Sequence, residues 1–197
     1  EGTEVKIVCR YQQYRAVGKI LQRLRLGQTP TTRSGVIWHT QGSGKSLTMV
    51  FLVRKLSFQA DLKDYMILML NDRIDLEVQL SKTAMLTGEK VNVISKRNRL
   101  RSELKKHTSN LNMVMIHKFL QDEIKHSKAL MKAYYEDGKI PKFKPFERVN
   151  NSDRILLLID EAHRTQGGDM GDNLFSAFPN AVKIAFTGTP LFTDRNK

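Results

Sequence analysis

Cysteine is almost absent from this sequence: Cys9 is the only one in 197 residues. A single thiol excludes an internal disulfide. His39, His107, His117, His126 and His163 are too scattered to supply zinc-ligand spacing. That usage fits a reducing compartment, and the cytoplasm is the expected location. No apolar run approaches the roughly 20 residues needed to span a bilayer, so no membrane partner is expected. The N-terminus lacks the basic and apolar regions of a secretory signal. Tryptophan occurs once, at Trp38, and reads as a core residue of an early strand. Acidic residues are outnumbered, 20 against 33 Lys plus Arg. The resulting net charge of +13 favours polyanions, nucleic acid among them, without naming the partner. The chain begins with Glu1 rather than Met and reads as an excised fragment.

What is present is enough apolar material for a packed core: 40% of residues are hydrophobic, which argues against wholesale disorder. Short aliphatic runs alternate with stretches of helical spacing. That pattern predicts an α/β domain with a mostly parallel central sheet and helices on both faces. Strands are expected at 36–39, 66–70, 91–94, 113–116, 155–159 and 182–186. Helices are expected at 46–59, 75–84, 97–106 and 173–178. Residues 121–152, rich in Lys and aromatics with Pro141 and Pro145, read as an insertion carrying a helix near 127–135.

The segment His39-Thr40-Gln41-Gly42-Ser43-Gly44-Lys45-Ser46 follows a predicted strand and opens a predicted helix. This is the context of a phosphate-binding loop. Gly42 and Gly44 let backbone amides turn inward around a phosphate, and the helix N-terminus adds partial positive charge. Ser43 lies between them. Lys45 is expected to reach the β- and γ-phosphates, and the Ser46 hydroxyl to ligate Mg²⁺. His39 stands where the full consensus has Gly.

Residues 156–159 are all aliphatic and run into Asp160-Glu161-Ala162-His163. A buried strand of that kind delivers Asp160 to the carboxyl edge of the sheet, where open α/β folds bind ligands. Asp160 is expected to hold Mg²⁺, and Glu161 to polarise the water that attacks the γ-phosphate. An acidic helix cap after a strand is the ordinary alternative. The pairing with a phosphate loop upstream makes the motif specific.

Asp160 to His163, followed by Thr187-Gly188-Thr189-Pro190, resembles motifs II and III of superfamily 2 helicases and translocases. Arg10-Tyr11-Gln12-Gln13 with Ala16 resembles their glutamine motif, which recognises adenine. The spacing favours Gln13, with Gln12 in reserve. Asn71-Asp72-Arg73 with Leu76 and Gln79, Ile116-His117-Lys118-Phe119, and His163-Arg164-Thr165-Gln166 resemble motifs of the motor subunit of type I restriction enzymes, the R subunit. The matches run from residue 10 to residue 192 in the family's order.

The resemblance implies that residues 1–197 are the first RecA-like motor domain of such a subunit. The second RecA-like domain and the nuclease domain are absent from this stretch. The implied cofactors are ATP and Mg²⁺. The implied partners are duplex DNA and the modification (methyltransferase) and specificity subunits, in the cytoplasm of a bacterium or archaeon. His163, Thr187 and Thr189 are then coupling residues, and Arg73 and Lys118 contact the DNA backbone.

Two other readings remain open at this stage. One is a different superfamily 2 protein, an RNA helicase or a remodeller. The other is a nucleotide-regulated nucleic-acid-binding module without hydrolysis. Lys96, Arg97, Arg99, Arg101, Lys105 and Lys106 form the densest basic segment, read either as a phosphate-tracking surface or as a solvated helix face.

Overall fold

Among the described residues six strands build one sheet, and every pairing between them is parallel. The computed structural model describes residues 7–40, 42–71, 82, 90–106, 111–115, 119, 147–160 and 169–188. Within these, the elements run α1 (Tyr11–Leu26), α2 (Pro30–Arg33), β1 (Gly35–Trp38), α3 (Lys45–Ser57), β2 (Met66–Asn71) and β3 (Val91–Val93). They continue with α4 (Arg97–Lys105), β4 (Leu111–Met115), β5 (Ile155–Ile159), α5 (Asp169–Ala177) and β6 (Val182–Thr187). The strand order across the sheet is β1-β6-β5-β2-β4-β3.

The central strands β5, β2 and β4 are buried along their whole lengths. This is why they read as unbroken apolar runs rather than alternating ones. Their side chains divide by parity. Ile67, Met69, Met113, Leu156 and Leu158 join α1 and α3 in one core. Met66, Leu68, Leu70, Leu157 and Ile159 join Leu100 and Leu104 of α4 and Leu174 and Ala177 of α5 in the other. Period-two alternation thus feeds two cores from one sheet, and the expected doubly covered architecture is what the chain adopts.

Helix α1 buries Ala16, Val17, Ile20, Leu21 and Leu24, a stripe at three- and four-residue spacing that packs on α3. Its end is tied to the turn after α3 by a two-pronged ion pair. Arg25 Nε donates to Asp61 Oδ2 at 2.7 Å and Arg25 Nη2 to Asp61 Oδ1 at 3.0 Å. Helix α1 overlaps the glutamine motif at residues 10–16 and extends well beyond it, and neither α1 nor α2 is among the helices expected from the sequence. No helix among the described residues is long and apolar enough to cross a membrane.

Several boundaries differ from expectation. Strand β4 starts at Leu111 rather than 113 because Asn112, which interrupts the apolar pattern, is itself buried. It is held there by Asn92 Nδ2 donating to its Oδ1 at 2.9 Å. Helix α5 starts at Asp169 rather than 173.

Trp38 corrects a second expectation. It is 61% exposed and Val36 is 56% exposed, because β1 is an edge strand with a single neighbour, β6. The expected helices at 75–84 and 127–135 lie outside the described residues, apart from Lys82, which is helical. Of the expected insertion at 121–152, only 147–152 is described. That stretch follows the sheet without regular structure, with Val149 N donating to Ala177 O at 2.9 Å.

Candidate nucleotide site

Because all six strands are parallel, their carboxyl ends share one edge of the sheet. The loop after β1, the end of β6 and the residue after β5 therefore come side by side, in the spatial order β1-β6-β5. Sequence segments separated by well over a hundred residues meet there, at the edge where open α/β sheets bind ligands.

The loop leaves β1 at His39, whose backbone N–H donates to Thr187 O at 3.1 Å. Gly42 and Gly44 adopt φ of +76° and +84°, left-handed values that cost little only for glycine. Helix α3 begins at Lys45, whose side chain is buried, and Ser46 follows half-buried. The Gly44 carbonyl is held three times: by Thr48 N at 3.0 Å, by Thr48 Oγ1 at 3.2 Å and by Gln13 Nε2 at 3.1 Å. A Cβ on Gly44 would lie 2.6 Å from Gln13 Nε2, whereas a Cβ on Gly42 would meet nothing within 4 Å among the described residues. Among these residues the first glycine thus faces open space and the second a packed side chain.

Gln13 is 3% exposed. Besides its bond to Gly44 O, its Oε1 accepts from Arg10 N at 2.9 Å, closing the N-terminus of α1. One amide N–H and one lone pair of Gln13 remain for other partners. Gln12 is exposed, so the structure separates the two glutamines that the sequence left as alternatives.

Asp160 sits just past β5, 6% exposed, with its N–H donating to Leu70 O at 2.9 Å. Thr187 ends β6 and is 3% exposed. Glu161, His163, Thr189, Arg73 and Lys118 lie outside the described residues.

Two polar atoms in the loop, His39 Nδ1 and Ser43 Oγ, are buried without a hydrogen-bond partner among the described residues. Burial, and then the Lys45 ammonium, hold the His39 imidazole below its ordinary 6.5. Unsatisfied polar atoms, a cationic lysine at a helix N-terminus and an open glycine suit a polyanionic ligand. The carboxylate of Asp160 and the hydroxyl of Ser46 are hard oxygen donors of the kind Mg²⁺ takes.

The sequence reading missed what surrounds the loop. Trp38, expected in the core, donates its indole Nε1–H to Gly188 O at 3.1 Å. Thr48, fully buried, caps the Gly44 carbonyl from one turn on; its place four residues after Gly44 is the signal that could have found it. Away from this edge, α4 buries Leu100 and Leu104 and exposes Arg99, Arg101 and Lys105. Arg101 pairs with Glu147 at 2.9 Å.

Residues 12–197 match the sequence profile of the SWI2/SNF2 ATPases, and the chain belongs to that family. Within it, the resemblance to type I restriction enzymes holds. The HindI endonuclease subunit of Haemophilus influenzae is 31% identical over 96% of this chain and 18% of its own length. The chain spans less than a fifth of the length of such curated relatives.

Solved structures share the fold. The Sulfolobus solfataricus SWI2/SNF2 ATPase core, solved with double-stranded DNA, has a TM-score of 0.58 at 17% identity, covering 94% of this chain and 33% of that one. A nuclease-deletion mutant of the Type ISP restriction-modification enzyme LlaGI, solved with a DNA substrate mimic, has a TM-score of 0.52 at 16% identity. That match covers 98% of this chain and 19% of that one. The expected RecA-like fold is thereby established.

Proposed function

We propose that residues 1–197 are the first RecA-like motor domain of a type I restriction endonuclease R subunit. In the parent protein it couples ATP hydrolysis to translocation of duplex DNA, ahead of cleavage by a separate nuclease domain. The observation that carries this reading is the placement of the phosphate loop and Asp160 at one sheet edge, with only β6 between their strands. The insertion at 121–152 belongs to the same domain, and the second RecA-like lobe and the nuclease lie elsewhere in the parent chain.

ATP with Mg²⁺ brings the reactive γ-phosphate and a divalent charge beside it. The chain's part is positioning and electrostatics. Backbone amides of Gly42 and Gly44 face the phosphates, Ser43 offers its hydroxyl while its N–H donates to Thr40 O at 3.1 Å, and Lys45 neutralises the β- and γ-oxygens. Ser46 and Asp160 hold the metal ion. Glu161 orients the attacking water and accepts its proton. Gln13, already bonded to the loop, uses its remaining donor and acceptor on the adenine edge. Thr187, Thr189 and His163 report the state of the site to the DNA-bound surface, where Arg73 and Lys118 hold backbone phosphates.

An isolated first lobe hydrolyses ATP poorly in this scheme, because an arginine supplied from elsewhere contributes on the order of 10³ to 10⁵ in related NTPases. The partners are duplex DNA and the modification and specificity subunits, in the cytoplasm of a bacterium or archaeon.

A second reading, a remodeller-type motor, is supported by the SWI2/SNF2 ATPase family match over residues 12–197. The deciding experiment measures ATP hydrolysis by the parent protein assembled with modification and specificity subunits. It compares no nucleic acid, single-stranded RNA, duplex without a target, and duplex with an unmethylated target. Stimulation confined to the unmethylated target supports the restriction motor. Equal stimulation by any duplex favours the remodeller-type motor, and stimulation by RNA a helicase. ATP binding without hydrolysis in every arm leaves a nucleotide-regulated binding module.

A further inference from the structure

The last residue of β1 and the residue after it grip two consecutive carbonyls, those of the last residue of β6 and of the residue after it. His39 N–H donates to Thr187 O at 3.1 Å, and the Trp38 indole Nε1–H donates to Gly188 O at 3.1 Å. The first bond continues the parallel ladder, in which Trp38 lies opposite Thr187. The second is a side-chain bond reaching across the strand pair to the residue after the ladder ends. Trp38 is 61% exposed, so packing in the core does not account for a ring of this size at this place. Trp38 and His39 lead directly into the glycine-rich loop.

We propose that Trp38 is a positioning residue of the nucleotide cycle. Through its indole N–H it holds the Thr187–Gly188 turn in register with the phosphate loop, so that displacement of the loop moves the turn. This inference rests on the ATPase reading given above. Trp38 touches none of the reacting atoms; it acts through the Gly188 carbonyl. The side-chain bond is solvent-accessible and lies at an edge strand, so it can break and re-form without unfolding the sheet. The backbone bond from His39 has no such freedom, because it is part of the ladder.

The test compares Trp38→Phe, which keeps an aromatic ring and removes the donor, with Val36→Ser on the same exposed side of β1. Both are made in the full-length parent protein. Duplex-stimulated hydrolysis and amide hydrogen exchange of the peptide containing Thr187 and Gly188 are read together. The expected result for Trp38→Phe is a fall in kcat of about fivefold, the scale of one lost hydrogen bond. KM for ATP should stay within about twofold, and exchange in the turn should be faster. Val36→Ser should match the unsubstituted protein in all three.

Unchanged exchange in Trp38→Phe overturns the proposal, as does faster exchange with unchanged kcat. Equal losses in Val36→Ser also overturn it, since they would trace to the strand rather than the indole. If the unsubstituted protein shows no nucleic-acid-stimulated hydrolysis, the motor reading fails on its own. Exchange then still decides whether the indole holds the turn.

Discussion

Gln13 Nε2 lies 3.1 Å from the Gly44 carbonyl oxygen, 31 residues away in the chain. The contact joins α1 to the last residue of the phosphate loop before α3. A residue expected to read a base is thus also a structural support for the loop that would hold that base's phosphates. Nucleotide preference and loop geometry should therefore respond together when Gln13 is changed.

Replacing Gln13 by Ala removes one bond to Gly44 O and one from Arg10 N. The expected loss of stability is about 1–3 kcal/mol, two hydrogen bonds at the usual net value. Gln13→Glu is the sharper probe. Its carboxylate still accepts from Arg10 N but presents no donor to Gly44 O. Thermal unfolding should show Gln13→Glu at least as unstable as Gln13→Ala. Titration with ATP and GTP should show discrimination between the bases reduced in both. Full discrimination in either variant would remove Gln13 from the base-reading role.

The two loop glycines should fail differently. Gly42→Ala meets only the backbone cost of a left-handed residue, about 1–2 kcal/mol, since its added methyl group would meet nothing within 4 Å among the described residues. Gly44→Ala carries that cost and also a 2.6 Å approach to Gln13 Nε2. Unfolding midpoints should rank Gly44→Ala below Gly42→Ala. The double variant Gly44→Ala with Gln13→Ala should recover part of the difference. Equal midpoints for the two single variants would contradict the geometry.

His39 gives the loop a dependence on acid. Its folded-state pKa is lowered, by burial first and by Lys45 second. The unfolded chain therefore binds this proton more readily than the folded one. The contribution to stability is fully present above the unfolded value near 6.5 and is lost as pH falls through the lower folded value. His39→Asn should flatten that part of the curve of Tm against pH below about 6.5. An unchanged acid limb would show that His39 does not carry it.

Lys45 and Glu161 have separable tasks in the proposed site. Lys45→Ala should weaken ATP binding by tenfold or more, on the order of 1.4 kcal/mol or greater. Glu161→Gln should bind ATP normally and hydrolyse it at least about 10²-fold more slowly, the usual scale for a lost general base. Binding by fluorescence titration and hydrolysis by phosphate release distinguish the two. Normal hydrolysis in both variants would refute the site.

The sequence alone determined the parts governed by local chemistry. Ile155 to Ile159 could only be a buried strand, because five aliphatic residues in a row leave no solvent face. The glycine turn at Gly42 and Gly44 and the helix start at Lys45 were legible because left-handed glycine dihedrals and a helix N-terminus are short-range requirements. Helix α1 was legible only around its glutamines, and Asn112 hid the start of β4, because a buried amide satisfied by Asn92 looks polar in sequence.

The tertiary structure decided everything that depends on which strand lies beside which. It placed β1 at the sheet edge, exposing Trp38 and turning its indole to Gly188. It buried Gln13 against Gly44 and left Gln12 exposed. It set the phosphate loop and Asp160 one strand apart. Hydrophobic period and turn chemistry are properties of neighbouring residues, whereas edge position and cross-sheet contact arise only when distant segments pair.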